Sequence, residues 1–404
     1  MNRRAPPWAF FWLHWAAWPV GAADVAMANA LVKAGVPLEL VSRMIAAGAL
    51  AFSLEILWGP IVDSVFTKRR WCIGGTVLMC VGQAALLVLP WNIASMPILT
   101  LLNFCVCTCA GIALVAVKGI MAYDVPAPQL GRASGHYTAG GIVAKALAAS
   151  GTLWLLTHLS SRPLVAVLSV GAAALAMSTI ILASPQPSLP VRGAPGALRA
   201  ALVDVWRLVR TRVGFLVAVL CVIPFGTSTL LGAAIAKEWS VGPDQLATVI
   251  PFGAVLSVAG AILAGRVSVR LGPWRTYIAF GWLMVLLLIA LAIVPRAPSW
   301  FIALWLLHRA GGGACYAALL GMVMTTIGKG AAATKAAAFW SLANLAEGYP
   351  ALVDGRVHDH VGTTAMLFTH AALDAAGFAL LLALARLLGL RYRALVAAVP
   401  APAT

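Results

Sequence analysis

Charge is what this chain mostly does without. Only 10% of its 404 residues are charged, and 12 acidic side chains stand against 28 Lys and Arg. With 62% apolar residues and a mean hydropathy of +0.95, that scarcity excludes an ordinary water-soluble domain. Long polar stretches are missing too, which leaves no room for a separate catalytic domain. No nucleophile–base motif stands out. The 328–335 loop (Gly-Lys-Gly-Ala-Ala-Ala-Thr-Lys) is no phosphate-binding loop, because no strand precedes it. The seven cysteines lie in or beside apolar runs and make no disulfide framework; residues two apart in Cys105-Val-Cys-Thr-Cys109 point to different helix faces and read as small packing residues. His358-Asp-His360 with His370 and Asp374 is the one metal-like set, and no further ligand accompanies it. Neither a metal nor a cofactor is expected.

What the chain has in quantity is long apolar runs. A spanning helix needs roughly 20 apolar residues, and twelve runs qualify: 8–32, 41–65, 72–90, 96–122, 133–158, 163–184, 213–236, 245–265, 275–295, 299–327, 336–353 and 362–388. The first lacks a small-residue cleavage site and is followed by eleven more, so it reads as a retained helix. The one longer connection, 185–212, begins Pro185-Gln-Pro187 and carries an amphipathic stretch from Leu198 to Arg212. The expected organisation is a six-helix bundle over 1–184, a cytoplasmic linker over 185–212 and a second six-helix bundle over 213–404.

The halves resemble one another. Pro19-Val-Gly21 recurs as Pro224-Phe-Gly226, and Gly59-Pro-Ile-Val-Asp63 as Gly265-Arg-Val-Ser-Val-Arg270, at offsets of 205 and 206. Duplicated halves in a polytopic protein are the usual build of a secondary transporter, with its site at the seam between them. The net charge of +16 first suggests nucleic acid, but its placement excludes that partner. With the N-terminus inside, 19 of the 28 basic residues fall at cytoplasmic ends and loops and six (Lys33, Arg43, Arg162, Lys237, Arg296, Arg356) at outer ones. That bias reports topology and contact with anionic lipid, and sets both termini in the cytoplasm.

Twelve spans, a six-plus-six split and a charged loop after span 2 resemble the major facilitator superfamily, whose loop motif runs Gly-x-Leu-x-Asp-Arg-x-Gly-Arg-Arg. The first copy keeps Gly59, Ile61 and Asp63, but Ser64 replaces the Arg and the basic cluster slips to Lys68-Arg69-Arg70. The second keeps Gly265, Val267, Arg270, Gly272 and Arg275, but Val269 replaces the Asp. Each copy has lost half of the acid–base pair, so the latch implied by the resemblance needs altered pairing, with Asp63 and Arg270 as gating residues across the cytoplasmic face. Leu57-Trp-Gly-Pro-Ile-Val-Asp63, Gly131-Arg-Ala-Ser-Gly135 and Ser341-Leu-Ala-Asn-Leu345 are similar to stretches of the muropeptide permease and siderophore importer branch.

An ionisable group near the bilayer centre costs about 2.5–3.5 kcal/mol on insertion scales, so each one needs a reason. Asp24, Glu55, Lys145, Arg309, Glu347 and Asp374 fall near mid-span, whereas Asp63 and Lys118 sit near cytoplasmic ends with headgroups in reach. In the fold implied by the resemblance, spans 1, 4, 7 and 10 line a central cavity and spans 3, 6, 9 and 12 face lipid. Arg309 and Lys145 then suit an anionic solute, which Arg grips bidentately, with Asp24 and Tyr316 as further wall residues. Glu55 and Glu347 suit proton coupling, because burial disfavours a carboxylate's charged form and lets it load and release a proton. The alternative is ion pairing alone: Lys145 with Glu55 or Glu347, and Arg309 with Asp374.

The expectation is an all-α, twelve-helix, monomeric carrier of a bacterial inner membrane, importing a bulky anionic or amphipathic small-molecule solute with protons. A siderophore complex or cell-wall muropeptide is the preferred class. Drug or metabolite efflux is the competing reading; a membrane-embedded enzyme or sensor is a more distant one. Span 5 lacks the proline that efflux antiporters of the superfamily carry there, which counts against export. A reporter fused after Thr404 should be active only in the cytoplasm, and periplasmic activity would refute the assigned topology.

Overall fold

The computed structural model describes residues 5–183, 193–223, 235–346 and 348–390. Among these the chain is helical, with no strand. Among the described residues eight helices are long and apolar enough to cross a bilayer, or nine with one bent pair counted as a single span. The twelve expected runs exceed that number for local reasons. Run 1 is broken into short pieces of different pitch: α1 (Ala9–Leu13), a 3₁₀ turn (His14–Ala17), α2 (Trp18–Gly21), a π segment (Ala22–Met27) and α3 (Ala28–Lys33). Run 2 is the bent pair, α4 (Leu38–Ser53) and α5 (Glu55–Ser64), turning by 45° about Leu54. Run 7 contributes α11 (Arg212–Leu220) before residues 224–234, which lie outside the described residues together with Pro224 and Gly226 of the repeat. Run 11 consists of α15 (Ala332–Ala346) and α16 (Gly348–Val361) on either side of residue 347.

The remaining spans are continuous: α6 (Lys68–Val88), α7 (Met96–Asp124), α8 (Leu130–His158), α9 (Arg162–Met177), α12 (Pro243–Leu271), α13 (Pro273–Ile293), α14 (Pro298–Ile327) and α17 (Thr363–Leu387). The amphipathic stretch of the linker is α10 (Gly193–Val209). Large aliphatic side chains stay exposed on α6 (Val77, Leu78, Val81), α9 (Val167, Leu175), α13 (Leu286, Ile293) and α17 (Leu380, Leu387). Aliphatic side chains are exposed as well on α4 (Leu50), α7 (Leu101), α12 (Val255) and α14 (Leu307), so the outward apolar surface is not confined to spans 3, 6, 9 and 12. Where such a surface meets lipid it has no water to avoid.

The chain forms two compact units. The first comprises Met1–Pro126, Gly140–Trp206 and Lys329–Ser341; the second comprises Ala127–Ala139, Arg207–Gly328 and Leu342–Thr404. The start of α8 belongs to the second unit and the start of α15 to the first. In the first unit α7 is central, packed by α4, α5 and α6. In the second, α14 lies along α12 and α13, and α17 packs on α13 and α16.

Without a hydrophobic drive between helices in lipid, close approach depends on small residues. A Cβ on Gly59 would stand 2.7 Å from the Thr334 Cα, and one on Gly135 would stand 2.7 Å from the Ala261 carbonyl oxygen and 2.9 Å from the Gly265 Cα. The two motif glycines therefore do the same work: Gly59 receives the start of α15, and Gly265 receives the start of α8. Gly313 lies against the Ser257 backbone and Gly311 against the Met284 side chain, so Gly311-Gly-Gly313 serves packing of α14 on both α12 and α13. Gly135→Leu forces backbone apart, not merely a flexible side chain. It should cost about 1–3 kcal/mol, as overpacking does, read as a lower melting temperature of the purified protein, while Gly151→Leu, where a Cβ meets nothing within 4 Å, leaves it unchanged.

Candidate functional site

In the first unit, breaks in helices position the charges. Glu55 opens α5 just after the bend at Leu54, where first-turn N–H groups lack intrahelical acceptors. One of them, Ile56 N–H, donates to Ser341 Oγ at 3.0 Å. The Glu55 carboxylate takes Lys118 Nζ of α7 at 2.5 Å, with both side chains at most 1% exposed. The same ammonium lies 5.0 Å above the Trp340 ring. Lys118 was expected at a headgroup; it is wholly buried instead, and Glu55 pairs with it and not with Lys145.

Asp24 lies in the π segment, one turn beyond Gly21, which abuts the Lys145 backbone. Asp24 and Lys145 feel one another's charge, as does Cys107 of α7, yet no ion pair closes within 4 Å. Both Asp24 and Lys145 are exposed. Trp15 and Trp18 of run 1 pack inward, stacked at 5.7 Å, and Trp18 Nε1 donates to Ser169 Oγ at 3.0 Å, whereas Trp8 and Trp12 are exposed. Trp12 and Trp15, with Leu175 and Thr179, border an apolar cavity of about 360 Å³.

Asp63 ends α5, buried completely. Its carboxylate pairs with Lys68 Nζ at 3.0 Å and accepts from Thr334 N–H and Thr334 Oγ1, each at 2.8 Å, and from Ala333 N–H at 3.4 Å. The N-terminus of α15 is thus satisfied by an anion, the arrangement favoured by its dipole. Lys68 replaces the Arg missing at position 64, and the cation sits over the Tyr123 ring at 5.0 Å. Tyr123 OH in turn donates to Gly330 O at 2.8 Å and accepts from Gly330 N–H at 3.0 Å. Gly330 needs a positive φ of 95° for this loop, which only glycine adopts without strain. From α10, Asp204 takes Lys335 Nζ at 3.2 Å and Ala331 N–H at 3.3 Å. Arg270, the expected counterpart of Asp63, is exposed at the end of α12 in the second unit.

In the second unit, Arg309 of α14 is half-buried, its guanidinium 6.0 Å from the Trp305 ring centre. Ser257 of α12 donates to the Arg309 carbonyl at 2.8 Å, and Gly253 makes room for the Trp305 ring and the Arg309 stem. Among the described residues no carboxylate lies within 4 Å of Arg309. Asp374, its expected partner in the ion-pair alternative, instead faces His370 Nε2 at 3.9 Å. Tyr316 is half-buried two turns along α14, and Glu347 lies outside the described residues.

Sequence reasoning missed Lys118, Lys68 and Asp354 as partners of buried charge. Lys68 was legible as the displaced basic cluster. Asp354 fell just past the expected end of run 11 and read as loop, whereas α16 carries it to the middle of a helix, 0% exposed.

The fold is that of a polytopic carrier. A family model described as the Major Facilitator Superfamily matches residues 11–349. The chain belongs to the major facilitator superfamily, a family of transporters and not of enzymes, and it is a multi-pass membrane protein. Comparison with curated proteins gave no significant match. Among solved structures, the E. coli fucose:proton symporter is similar with a TM-score of 0.70 at 15% identity, covering 95% of this chain and 98% of that one. The human organic anion transporter TETRAN gives 0.69 at 14%, covering 93% and 97%. A bacterial homologue of the iron transporter ferroportin, in an outward-facing state, gives 0.68 at 16%, covering 96% and 100%.

Glu55 and Lys118 offer a test that separates holding the fold from moving a proton. Lys118→Met alone leaves a carboxylate buried without its partner, a loss of roughly 3–5 kcal/mol, whereas replacing both partners with apolar groups is often neutral. The double variant Glu55→Met with Lys118→Met should therefore recover the folded yield lost in the single one. It should not recover gradient-driven accumulation in proteoliposomes; full recovery of both would make Glu55 purely structural.

Proposed function

We propose that the protein is a proton-coupled importer of a bulky anionic or amphipathic solute, working as a monomer in a bacterial inner membrane with both termini cytoplasmic. The observation that carries this reading is the division of its cations. Lys68, Lys118 and Lys335 each hold a carboxylate at 3.2 Å or less. Arg309 and Lys145, the two cations assigned to solute, have no carboxylate within 4 Å among the described residues. A mid-span cation kept without an ion-pair partner is costly unless its counter-charge arrives with a ligand. Arg309 then grips the anionic group in a planar fork and Trp305 offers an aromatic wall in the second unit, while Lys145 and Asp24 are the solute-binding residues proposed in the first. Tyr316 serves as a wall residue.

Glu55 and Glu347 are the coupling carboxylates in this proposal, and Asp63 with Arg270 the gating residues. Within Asp63's own unit, release of the α15 N-terminus and of Lys68 would be the gating event. The names of two structural neighbours, an organic anion transporter and a proton symporter, agree with an anion and a proton as cargo. The three motif stretches around Trp58, Gly131 and Ser341 support the siderophore-complex or muropeptide class.

The test is uptake into proteoliposomes of a labelled ferric hydroxamate complex and a labelled anhydro-muropeptide, with and without an inward proton gradient. Arg309→Gln should weaken binding about 10- to 100-fold, the loss expected when a charge-assisted hydrogen bond is removed, and it should do so whether or not a gradient is present. Glu347→Gln should spare exchange and abolish accumulation. Uptake driven by an outward proton gradient would instead identify an efflux antiporter.

A further inference from the structure

A cluster of ionisable side chains lies inside the second unit, and neither solute binding nor the coupling carboxylates account for it. His370 of α17 forms a hydrogen bond through Nδ1 with Asp354 Oδ2 of α16 at 2.6 Å. Its other ring nitrogen faces Asp374 Oδ2, one turn along the same helix, at 3.9 Å. His308 of α14 is within electrostatic reach of His370, and its Nε2 has no hydrogen-bond partner among the described residues. Exposure is 0% for Asp354, 1% for His370 and Asp374, and 6% for His308.

An imidazole held between two carboxylates, with a second imidazole beside it, has a net charge set by how many protons it holds. In a water-free interior that number matters, since each uncompensated charge is costly. A purely structural contact between α16 and α17 needs one hydrogen bond, not two acids and two imidazoles from three helices. The other titratable groups facing the cluster are few. On α14 they are Arg309, whose charge acts on His308, and Cys315, which feels the charge of Asp374. From α13, Tyr277 packs on Phe378 at 5.5 Å, one turn past Asp374. From the end of α11, apolar Ile223 meets α17 at Gly377. Glu347 lies outside the described residues.

The position of His308 gives the cluster its meaning. It is the residue next to Arg309, so one helical turn presents an imidazole to the buried cluster and a guanidinium to the proposed anion. The geometry points to a proton-binding site formed by Asp354, His370 and Asp374 with His308, whose occupancy is linked to anion binding at Arg309. An anion that neutralises Arg309 favours a proton on the neighbouring imidazoles, and by reciprocity a proton there favours the anion. This deepens the reading of the protein as an anion–proton importer and rests on it. It adds a second proton site, in the same unit as the anion's main anchor.

The test needs no solute. Full-length protein labelled with ¹⁵N-histidine in lipid nanodiscs is titrated between pH 5 and 9, with His370→Gln and His308→Gln to assign the two rings. His370 should change protonation state within that window, and Arg309→Gln should displace its midpoint about tenfold in proton concentration, the order of a Coulomb interaction across one buried turn. Asp354→Asn should displace it as well; if that variant fails to insert, Arg309→Gln still gives the readout. A His370 ring that keeps one protonation state throughout, or a midpoint unmoved by Arg309→Gln, overturns the site. If the wild type accumulates the ferric hydroxamate complex or the anhydro-muropeptide equally with a protonophore present, the coupling reading falls and this one with it. A flat His370 titration alongside protonophore-sensitive uptake removes this site alone.

Discussion

Hydrocarbon supplies no hydrogen bonds, and most of this structure answers that constraint. Asp63 shows how. A helix end such as the start of α15, once buried in protein, presents N–H groups that need acceptors, and a buried carboxylate is equally unwelcome alone. Placed together they satisfy one another: Asp63 accepts from Ala333 and Thr334 while Lys68 balances its charge. The opening of α5 is handled in the same way by Ser341 and Lys118. Irregular backbone and isolated charge, each unaffordable alone, become a compact polar joint when they meet. The loop at 329–335, tied also by Tyr123 and Asp204, is the most heavily bonded of these joints.

Where polar joints are absent, shape carries the packing. Gly59 and Gly265 hold equivalent places in the two repeats and admit equivalent partners, the first turns of α15 and α8. Their chemistry differs. Around Gly59 an acid, a lysine and a helix terminus meet; around Gly265 the contact is backbone on backbone, with Ser268 near Gly131. The loss of the acid from the second motif copy, Val269 where an Asp is expected, therefore matches a contact that runs on steric fit alone.

Much of this was written plainly in the sequence. Hydropathy runs located the continuous spans, and the offset repeat pointed to paired motifs. Periodicity had no means of showing that run 1 changes pitch, or that run 2 bends at Leu54, because neither break involves a change in apolarity. The choice of partners was equally hidden. Lys145 was the partner expected for Glu55, and only the azimuth of Lys118 on α7 decides for Lys118 instead. Asp354 shows the opposite limit: a charged residue at the edge of an apolar run reads as loop until the helix is seen to continue to Val361.

The mixed pitch of run 1 has a torsional consequence. A 3₁₀ turn rotates each residue further about the axis than an α-helix does, and a π turn rotates it less. Here the tight four-residue turn at His14–Ala17 precedes the wide six-residue one at Ala22–Met27, so overwinding and underwinding offset each other along the span. Residues before His14 and after Met27 keep nearly the phase of one uninterrupted helix, while Trp18–Gly21 is rolled out of phase between them. A twist is thereby confined to the short stretch that lays Gly21 against Lys145, and it can relax in place without turning either end of the span.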